Sequence, residues 1–159
     1  LGLKLAIDEG WGVRALALMG TPLRLSKMDS FLAGAVKYTP LKYIIKSVKK
    51  DMKRSVADPE GRRLYQQYSL PRIPSASVFE VQRLQAGLRR ELRRIANPVI
   101  IVHGAFDKVA PIANVEFLKQ GLSSDVVETW IGKSSRHVIT LDYDKDEAVA
   151  QLIDFFARF

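Results

Sequence analysis

Apolar strand-like runs alternate with amphipathic helical runs in the last third of the chain, and this pattern constrains the fold most. The runs NPVIIVHG at 97–104 and DVVETWIG at 125–132 are short and apolar, and proline stands only near the start of the first. Between them, PIANVEFLKQGL at 111–122 places Val115 and Leu118 at helical spacing. A second helical run follows the second strand. This order predicts parallel pairing, and therefore an α/β fold with a buried sheet covered by helices.

The first 22 residues fit the same architecture. LGLKLAIDEG at 1–10 has helical spacing from its first residue, with Gly10 as a stop signal, and VRALALMGTP at 13–22 is a third buried strand. No capping residue precedes Leu1, although Ser, Thr, Asp or Asn normally begins such a helix. We therefore expect the chain to begin inside an element and to be a fragment.

The closing helix carries a recognisable start. Asp144 and Glu147 have the spacing of a capping box. One apolar face is predicted to follow, formed by Ala148, Val149, Leu152, Ile153 and Phe156.

Residues 23–96 break the strand–helix rhythm and are predicted to be a helical insertion without strands. Two amphipathic helices are expected, with Pro71 and Pro74 between them and with Ser75 or Ser77 capping the second. The first carries Leu41, Ile44, Ile45, Val48, Met52 and Val56, and the second carries Val81, Leu84, Leu88, Leu92 and Ile95. The expected division is a core of 1–22 and 97–159 with an insertion at 23–96.

Composition narrows the class of protein. With 159 residues and 47% hydrophobic residues, the chain is long enough for one domain with a sizeable core. No run is long enough for a membrane span. The absence of cysteine excludes disulfides and thiolate metal sites and favours a reducing compartment, so we expect a cytoplasmic protein. Two histidines without clustered carboxylates do not form a metal site, and no cofactor is expected.

The positive charge is concentrated in the insertion. Residues 41–96 contain 14 Lys and Arg against 5 Asp and Glu, whereas the whole chain has a net charge of +8. Such runs usually form a solvated helix face. They also allow peripheral contact with an anionic membrane. Aromatic residues do not alternate with the basic ones, so nucleic acid is not expected as a partner.

Two ionisable residues follow neighbouring strands of the predicted sheet. Asp107 follows 97–104, and His137 follows 125–132. Because parallel strands present functional groups at their C-terminal ends, these side chains are expected on one rim of the sheet. A carboxylate that orients an imidazole is the second half of a nucleophile, base and acid triad. Taken singly, Asp107 also fits a turn or helix cap and His137 a solvated loop residue, and His103 is expected to pack in the core.

These segments resemble the C-terminal part of the α/β-hydrolases, especially the small carboxylesterases and monoacylglycerol-lipase-like enzymes. NPVIIVHGAFDKVAP resembles their acid-bearing strand and turn, and SRHVITLDYDKD resembles their histidine loop. The resemblance implies ester hydrolysis with His137 as general base and then general acid, Asp107 as the orienting carboxylate, and residues 23–96 as a lid over the acyl pocket. It also implies a small ester or monoacylglycerol substrate.

Two departures from this pattern matter. The nucleophile of the family lies in G-x-S-x-G, and no such motif occurs in this sequence. The serine is therefore expected upstream of Leu1, and this chain alone is expected to be inactive. Arg136 stands where the family usually has glycine, and it is expected either to disfavour the imidazolium or to contact an anionic substrate group.

Three hypotheses remain at this point. The chain is part of a serine esterase or monoglyceride-type lipase, or a non-catalytic α/β-hydrolase-like module that binds a ligand or partner, or a basic helical protein that docks on membranes or nucleic acid.

Overall fold

The computed structural model describes residues 1–9, 12–26, 34–36 and 38–159, and its central feature is a parallel sheet. The strands are β1 (Leu16–Met19), β2 (Ser47–Lys49), β3 (Arg72–Pro74), β4 (Val99–Gly104) and β5 (Val127–Gly132). The helices are α1 (Gly2–Asp8), α2 (Leu41–Ile44), α3 (Met52–Ser55), α4 (Pro59–Tyr68), α5 (Ser75–Glu91), α6 (Ala113–Gly121) and α7 (Lys145–Phe156). Two 3-10 turns lie at Leu92–Arg94 and Ile139–Leu141.

The central sheet has the order β1-β4-β5, and all of its strands are parallel. Leu16 lies opposite Val99 on one side of β4, and Val102 lies opposite Trp130 on the other. The predicted α/β fold with a parallel sheet and flanking helices is confirmed. Because the strands are parallel, β1, β4 and β5 all end at the same edge of the sheet.

The central strand β4 is buried along its whole length because helices cover both faces of the sheet. On one face, Val99 and Ile101 pack with apolar residues of α1, α5 and α6. On the other, Ile100 and Val102 pack with Phe155 of α7. Burial of each such side chain contributes about 1.5–3 kcal/mol relative to exposure, so the sheet provides a rigid base for the loops at its edge.

The first helix predicted in the insertion is wrong. Over 41–56 the chain forms α2, the short strand β2 and then α3, and β2 pairs antiparallel with β3. Val48 lies opposite Ile73, so a pairing between residues distant in sequence takes the place of the predicted helix. The Asp51 carboxylate accepts from the Lys53 backbone N–H and so begins a new helix within the predicted one. The helix α4 was not predicted, whereas α5 was.

The predicted caps are at most correct in position, since Asp144 does precede its helix but no predicted cap makes a capping hydrogen bond. Pro74, not a serine, precedes α5, and the Ser75 hydroxyl donates to the Ile45 carbonyl at 2.6 Å. Asp144 precedes α7, but it makes no capping hydrogen bond, since its carboxylate accepts from the backbone N–H groups of Ser134 and Ser135 instead. The carboxylate of Asp144 therefore accepts from two backbone N–H groups of the loop before the helix, and not from the N–H groups at the start of the helix. The predicted stop signal of the first helix, Gly10, lies outside the described residues.

The apolar face predicted for α7 is only partly correct. Ala148 and Phe155 are fully buried, but Val149, Ile153 and Phe156 are 44%, 66% and 45% exposed. The stripe that faces the sheet runs through 148, 152 and 155, and the next residue in each case turns away from it by the 100° helical step. Among the described residues, no helix has the length and hydropathy needed to cross a membrane.

Candidate active site

The two predicted site residues meet at the C-terminal edge of the sheet. The turn after β4 carries Asp107, and the loop between β5 and the following 3-10 turn carries His137. The His137 Nδ1 atom lies 2.9 Å from Asp107 Oδ2. The Asp107 side chain is fully buried and the His137 side chain is 23% exposed. This arrangement orients the imidazole and leaves its other nitrogen, Nε2, free of the carboxylate.

The second oxygen of Asp107 holds its own turn in place. Asp107 Oδ1 accepts from the backbone N–H groups of Val109 at 2.7 Å and Ala110 at 2.8 Å. The two alternatives considered for this residue, turn cap and partner of histidine, are therefore both realised, one by each oxygen. The carboxylate cannot rotate without losing one of these interactions, so the direction in which it faces His137 is fixed.

His103 is a buried histidine at the end of β4. It is 1% exposed, its Nε2 donates to the Ala110 carbonyl at 2.9 Å, and the same nitrogen lies 3.6 Å from Asp107 Oδ2. Its Nδ1 has no hydrogen-bond partner among the described residues. His103 therefore supports the turn that carries Asp107 and, as expected, packs in the core.

Two glycines at strand ends make room for the histidine loop. Gly20, after β1, has φ of +50°, and a Cβ atom there would lie 2.9 Å from the His137 carbonyl oxygen. At Gly104, the last residue of β4, a Cβ atom would lie 2.2 Å from the Arg136 carbonyl oxygen. Both contacts are closer than any side chain permits. The sequence marks these glycines only as strand ends, and their steric role depends on a loop about 30 or more residues away.

Two further carboxylates, which the sequence analysis did not identify as site residues, shape the histidine loop. Asp142 is fully buried and accepts from the backbone N–H groups of Ala57, Asp58, Arg136 and Tyr143 at 2.8–3.0 Å. The loop is thereby tied to the start of α4. The acidic residues after the histidine are the only sequence signal for this role, and their spacing favours a helix start instead.

Asp144 is the second of these carboxylates, and it has a pKa below its ordinary value. Burial raises the pKa of this carboxyl, but hydrogen bonds from the Ser135 side chain and from the Ser134 and Ser135 backbone, together with the charge of Lys133, outweigh that effect. The ionised form is therefore the one that holds residues 134 and 135.

Arg136, for which the sequence analysis offered two roles beside the imidazole, makes contacts with two other residues. Its backbone N–H donates to Asp142, and its guanidinium donates to the Lys53 carbonyl of α3. A glycine at this position would lack the second interaction, so Arg136 joins the histidine loop to the insertion.

His137 opens into a cavity of about 390 Å³ between the sheet edge and the insertion. Its apolar lining includes Leu25, Tyr65, Ile73 and Val78, and its charged lining is Lys49, Lys50, Asp51 and Arg54. A slightly larger cavity of about 420 Å³ lies beside Arg24 and Arg89, but neither histidine nor carboxylate lines it. We therefore regard the cavity at His137 as the candidate active site. No group of three potential metal ligands occurs among the described residues.

Comparison with solved structures decides the fold. The structure is similar to one from a report on the metagenome-derived lipolytic enzymes LipS and LipT, with a TM-score of 0.82, 19% identity, and coverage of 99% of this chain and 60% of that one. It is also similar to a soluble variant of monoglyceride lipase from Saccharomyces cerevisiae, with a TM-score of 0.79, 16% identity, and coverage of 99% and 60%.

The chain is part of an α/β-hydrolase fold. In sequence, it is 36% identical over 87 residues to a thermostable monoacylglycerol lipase from Bacillus sp. (strain H-257), a match that covers 55% of this chain and 35% of that relative. No protein-family model matches. The resemblance to α/β-hydrolases of the monoacylglycerol-lipase-like branch is confirmed. This chain spans about a third of the curated relative and about three fifths of these solved structures.

Proposed function

We propose that the protein to which this chain belongs hydrolyses carboxylic esters, as a carboxylesterase or a monoacylglycerol-lipase-like enzyme, through a Ser-His-Asp triad. The observation that carries this proposal is the hydrogen bond between His137 Nδ1 and the buried Asp107 carboxylate, at the mouth of a partly apolar cavity. The similarity to lipolytic enzymes supports the same class of reaction.

Each site residue has a defined role in this mechanism. The Asp107 carboxylate accepts from Nδ1–H and so fixes the tautomer in which Nε2 is the base. His137 takes the proton of the attacking hydroxyl and then gives it to the leaving alcohol, while Asp107 stabilises the transient imidazolium. The serine belongs to a G-x-S-x-G turn outside this chain, because the 159 residues contain no such motif. This chain alone is accordingly expected to be inactive.

We assign the role of a cap over the acyl pocket to residues 23–96. The walls of the cavity support this assignment, since Leu25, Tyr65, Ile73 and Val78 all come from that segment. These side chains surround the opening at His137 with apolar surface, which suits the acyl chain of an ester substrate.

The complete gene product provides the test. Hydrolysis of p-nitrophenyl butyrate and of 1-monooleoylglycerol is expected, and His137→Ala is expected to lower kcat by a factor of about 10³ or more. Asp107→Asn should lower it by about 10⁴, because the wrong tautomer is then favoured. Ser134→Ala, in the same loop, is the control that should retain activity. An unchanged rate in His137→Ala removes this residue from the mechanism, whereas absence of ester hydrolysis in the complete gene product favours the non-catalytic binding module.

A second proposed property is peripheral contact of the same segment with anionic lipid. Apolar side chains are exposed beside its basic residues, with Tyr43, Ile44, Tyr68 and Leu70 all 72–80% exposed. Such a combination favours adsorption to a bilayer surface. Co-sedimentation with phosphatidylglycerol vesicles, weakening as salt rises, is expected, whereas equal co-sedimentation with neutral phosphatidylcholine vesicles contradicts electrostatic docking.

A further inference from the structure

The cavity of about 420 Å³ beside Arg24 and Arg89 has two arginines and two glutamines in its lining and no carboxylate. Its lining residues are Arg24, Leu25, Gln82, Gln85 and Arg89. Leu25 also lines the cavity at His137, so the two cavities are neighbours. The volume falls within the range of about 300–1,000 Å³ that is usual for small-molecule sites, so the cavity can hold a polar ligand of small size.

Arg24 is held through both its backbone and its side chain. The buried side chain of Asn114 accepts from the Arg24 backbone N–H at 2.7 Å and donates to the Arg24 carbonyl at 2.9 Å. The Arg24 guanidinium lies 3.8 Å from the centroid of the Phe117 ring, a cation–π contact that uses its flat face. The N–H groups at its edge have no acceptor among the described residues, so they can donate to a ligand.

Arg89 reaches the same cavity from α5. Its Nη1 atom donates to the Leu23 carbonyl at 2.7 Å, and its Nε and Nη2 groups have no acceptor in the described part of the chain. One helical turn earlier, Gln85 is only 6% exposed, and its amide donates to the Pro22 carbonyl. Because both side chains are already ordered, a ligand that binds them costs less side-chain entropy than one that binds free side chains.

The acidic residues of the neighbouring helices do not neutralise these arginines. Those of α5 and α6 form ion pairs with other cations, in the pairs Glu80–Arg83, Glu91–Arg94 and Glu116–Lys119. Among the described residues, no carboxylate lies within ion-pair distance of Arg24 or Arg89. The positive charge of this cavity is therefore available to an anionic ligand.

An adjoining cavity of about 190 Å³ extends the same charge. It shares Arg89 with the first cavity, and it adds Arg90 and Arg93. The Phe117 ring on which Arg24 stacks lines it as well, and no described carboxylate does. A cleft lined by one sign of charge concentrates ligands of the opposite sign, and an anion between these arginines relieves their mutual repulsion.

We propose that the cavity lined by Arg24 and Arg89 binds a small molecule through a phosphate group. Each guanidinium presents parallel N–H donors that match two phosphate oxygens. A phosphate monoester carries a charge of about −1.5 to −2 at pH 7, so it offsets two arginines more fully than a carboxylate does. The amides of Gln82 and Gln85 are placed to contact the rest of the ligand. This inference goes beyond the proposed ester hydrolysis and does not depend on it, because the phosphate site lies outside the cavity at His137.

Titration of the complete gene product with inorganic phosphate and with pyrophosphate tests this proposal. At low ionic strength, calorimetry is expected to show saturable binding of at least one of them, with a Kd of about 1 mM or below. Acetate, which carries a single charge, should bind at least about tenfold more weakly. Absence of saturable binding of both phosphates, or equal binding of acetate, overturns the proposal.

Two double variants that remove equal charge locate the site. In Arg24→Gln/Arg89→Gln the Kd of pyrophosphate should rise at least about tenfold, because both guanidinium partners are lost. Lys49→Gln/Lys50→Gln removes two cations from the lining of the cavity at His137 and should change the Kd by less than about threefold. An equal or greater loss of affinity in the lysine variant assigns the anion to the cavity at His137 and overturns the proposal.

A single variant keeps the test independent of folding. Arg89 also holds the Leu23 carbonyl, whereas Arg24→Gln leaves both backbone hydrogen bonds to Asn114 in place. Its circular dichroism spectrum should therefore match that of the unaltered protein, while the Kd of pyrophosphate rises at least about threefold. An unchanged Kd in folded Arg24→Gln contradicts the proposal.

Phosphate groups also occur on lipid surfaces, and vesicles distinguish the two sources. Binding of free pyrophosphate that is lost in the arginine variant supports a site for a small phosphate ligand. Co-sedimentation with phosphatidic acid vesicles without any binding of free phosphate or pyrophosphate overturns it and assigns these arginines to a membrane surface.

Discussion

Replacing Asp142 by asparagine isolates the contribution of one buried carboxylate to the histidine loop. Oδ1 accepts from the backbone N–H groups of Asp58 at 2.8 Å and Tyr143 at 3.0 Å. Oδ2 accepts from those of Ala57 and Arg136, both at 2.8 Å. The asparagine amide keeps one acceptor oxygen, but its NH₂ group then faces two other donors, so two of the four hydrogen bonds are lost.

The expected cost follows from these two bonds. Each hydrogen bond to a charged group contributes about 1.5–3 kcal/mol, so Asp142→Asn should lower the free energy of unfolding by about 3–6 kcal/mol. Because domains are stable by only about 5–15 kcal/mol, the variant is expected to be close to its unfolding threshold. Urea denaturation followed by circular dichroism measures the difference. Asp125→Asn removes the same charge at an exposed position and should change stability by less than about 0.5 kcal/mol.

A small loss in the free energy of unfolding would contradict this expectation. A loss below about 1 kcal/mol in Asp142→Asn means that the backbone N–H groups find other acceptors and that the carboxylate does not hold the loop. A second outcome concerns the site itself, since the Arg136 N–H is one of the two that lose their acceptor if the NH₂ group replaces Oδ2. In the complete gene product, ester hydrolysis should then fall by more than the folded fraction explains.

Three other perturbations test the same construction. Gly104→Ala should destabilise by about 1–3 kcal/mol because its Cβ atom meets a backbone carbonyl, whereas Gly87→Ala, in open space on α5, should be neutral or stabilising by up to about 1 kcal/mol in the same urea assay. The pKa of Asp144 is lowered in the folded state, so the stabilisation that its carboxylate provides is present above the pKa of the unfolded chain, about 4, and is lost as pH falls through the folded pKa. In urea titrations at acid pH, the difference in free energy of unfolding between the unaltered protein and Asp144→Asn should therefore shrink. The hydrogen bond from Arg158 lowers the pKa of Glu128, but this pair is exposed. Glu128→Gln should therefore lower the free energy of unfolding by no more than about 1 kcal/mol, and this difference should disappear in high salt.

The parallel sheet was predictable because its strands are read from local composition. Val99–Gly104 is a continuous apolar run, and such runs form buried strands that need helices on both sides. The meeting of Asp107 and His137 was predictable for the same reason, since parallel strands end at one edge. In both cases a local pattern and a general rule of chain geometry were sufficient.

The parts that sequence reasoning missed depend on contacts between distant residues. Val48 has helical spacing with its neighbours, but it pairs with Ile73 across a strand ladder. Asp144 has the spacing of a capping box, but its carboxylate accepts from two backbone N–H groups of the preceding loop instead of from its own helix. The basic residues that line the cavity, Lys49, Lys50 and Arg54, were predictable only as part of a charge excess in 41–96, because spacing does not reveal which side chains share a surface.

Residues of the insertion contribute both to the lining of the cavity at His137 and to the position of the histidine loop. The Val138 N–H donates to the Ser55 carbonyl at 3.0 Å, and Asp142 binds the N–H groups of residues 57 and 58. A Cβ atom at Gly61 would lie 1.6 Å from the Leu141 carbonyl oxygen, so the start of α4 packs directly on the histidine loop. Residues 55–61 therefore determine where His137 stands. The β2–β3 pair differs, since its described hydrogen bonds run within residues 45–75. The β2–β3 pair, which contributes Lys49 and Ile73 to the cavity lining, is therefore joined to the histidine loop less directly than residues 55–61 are.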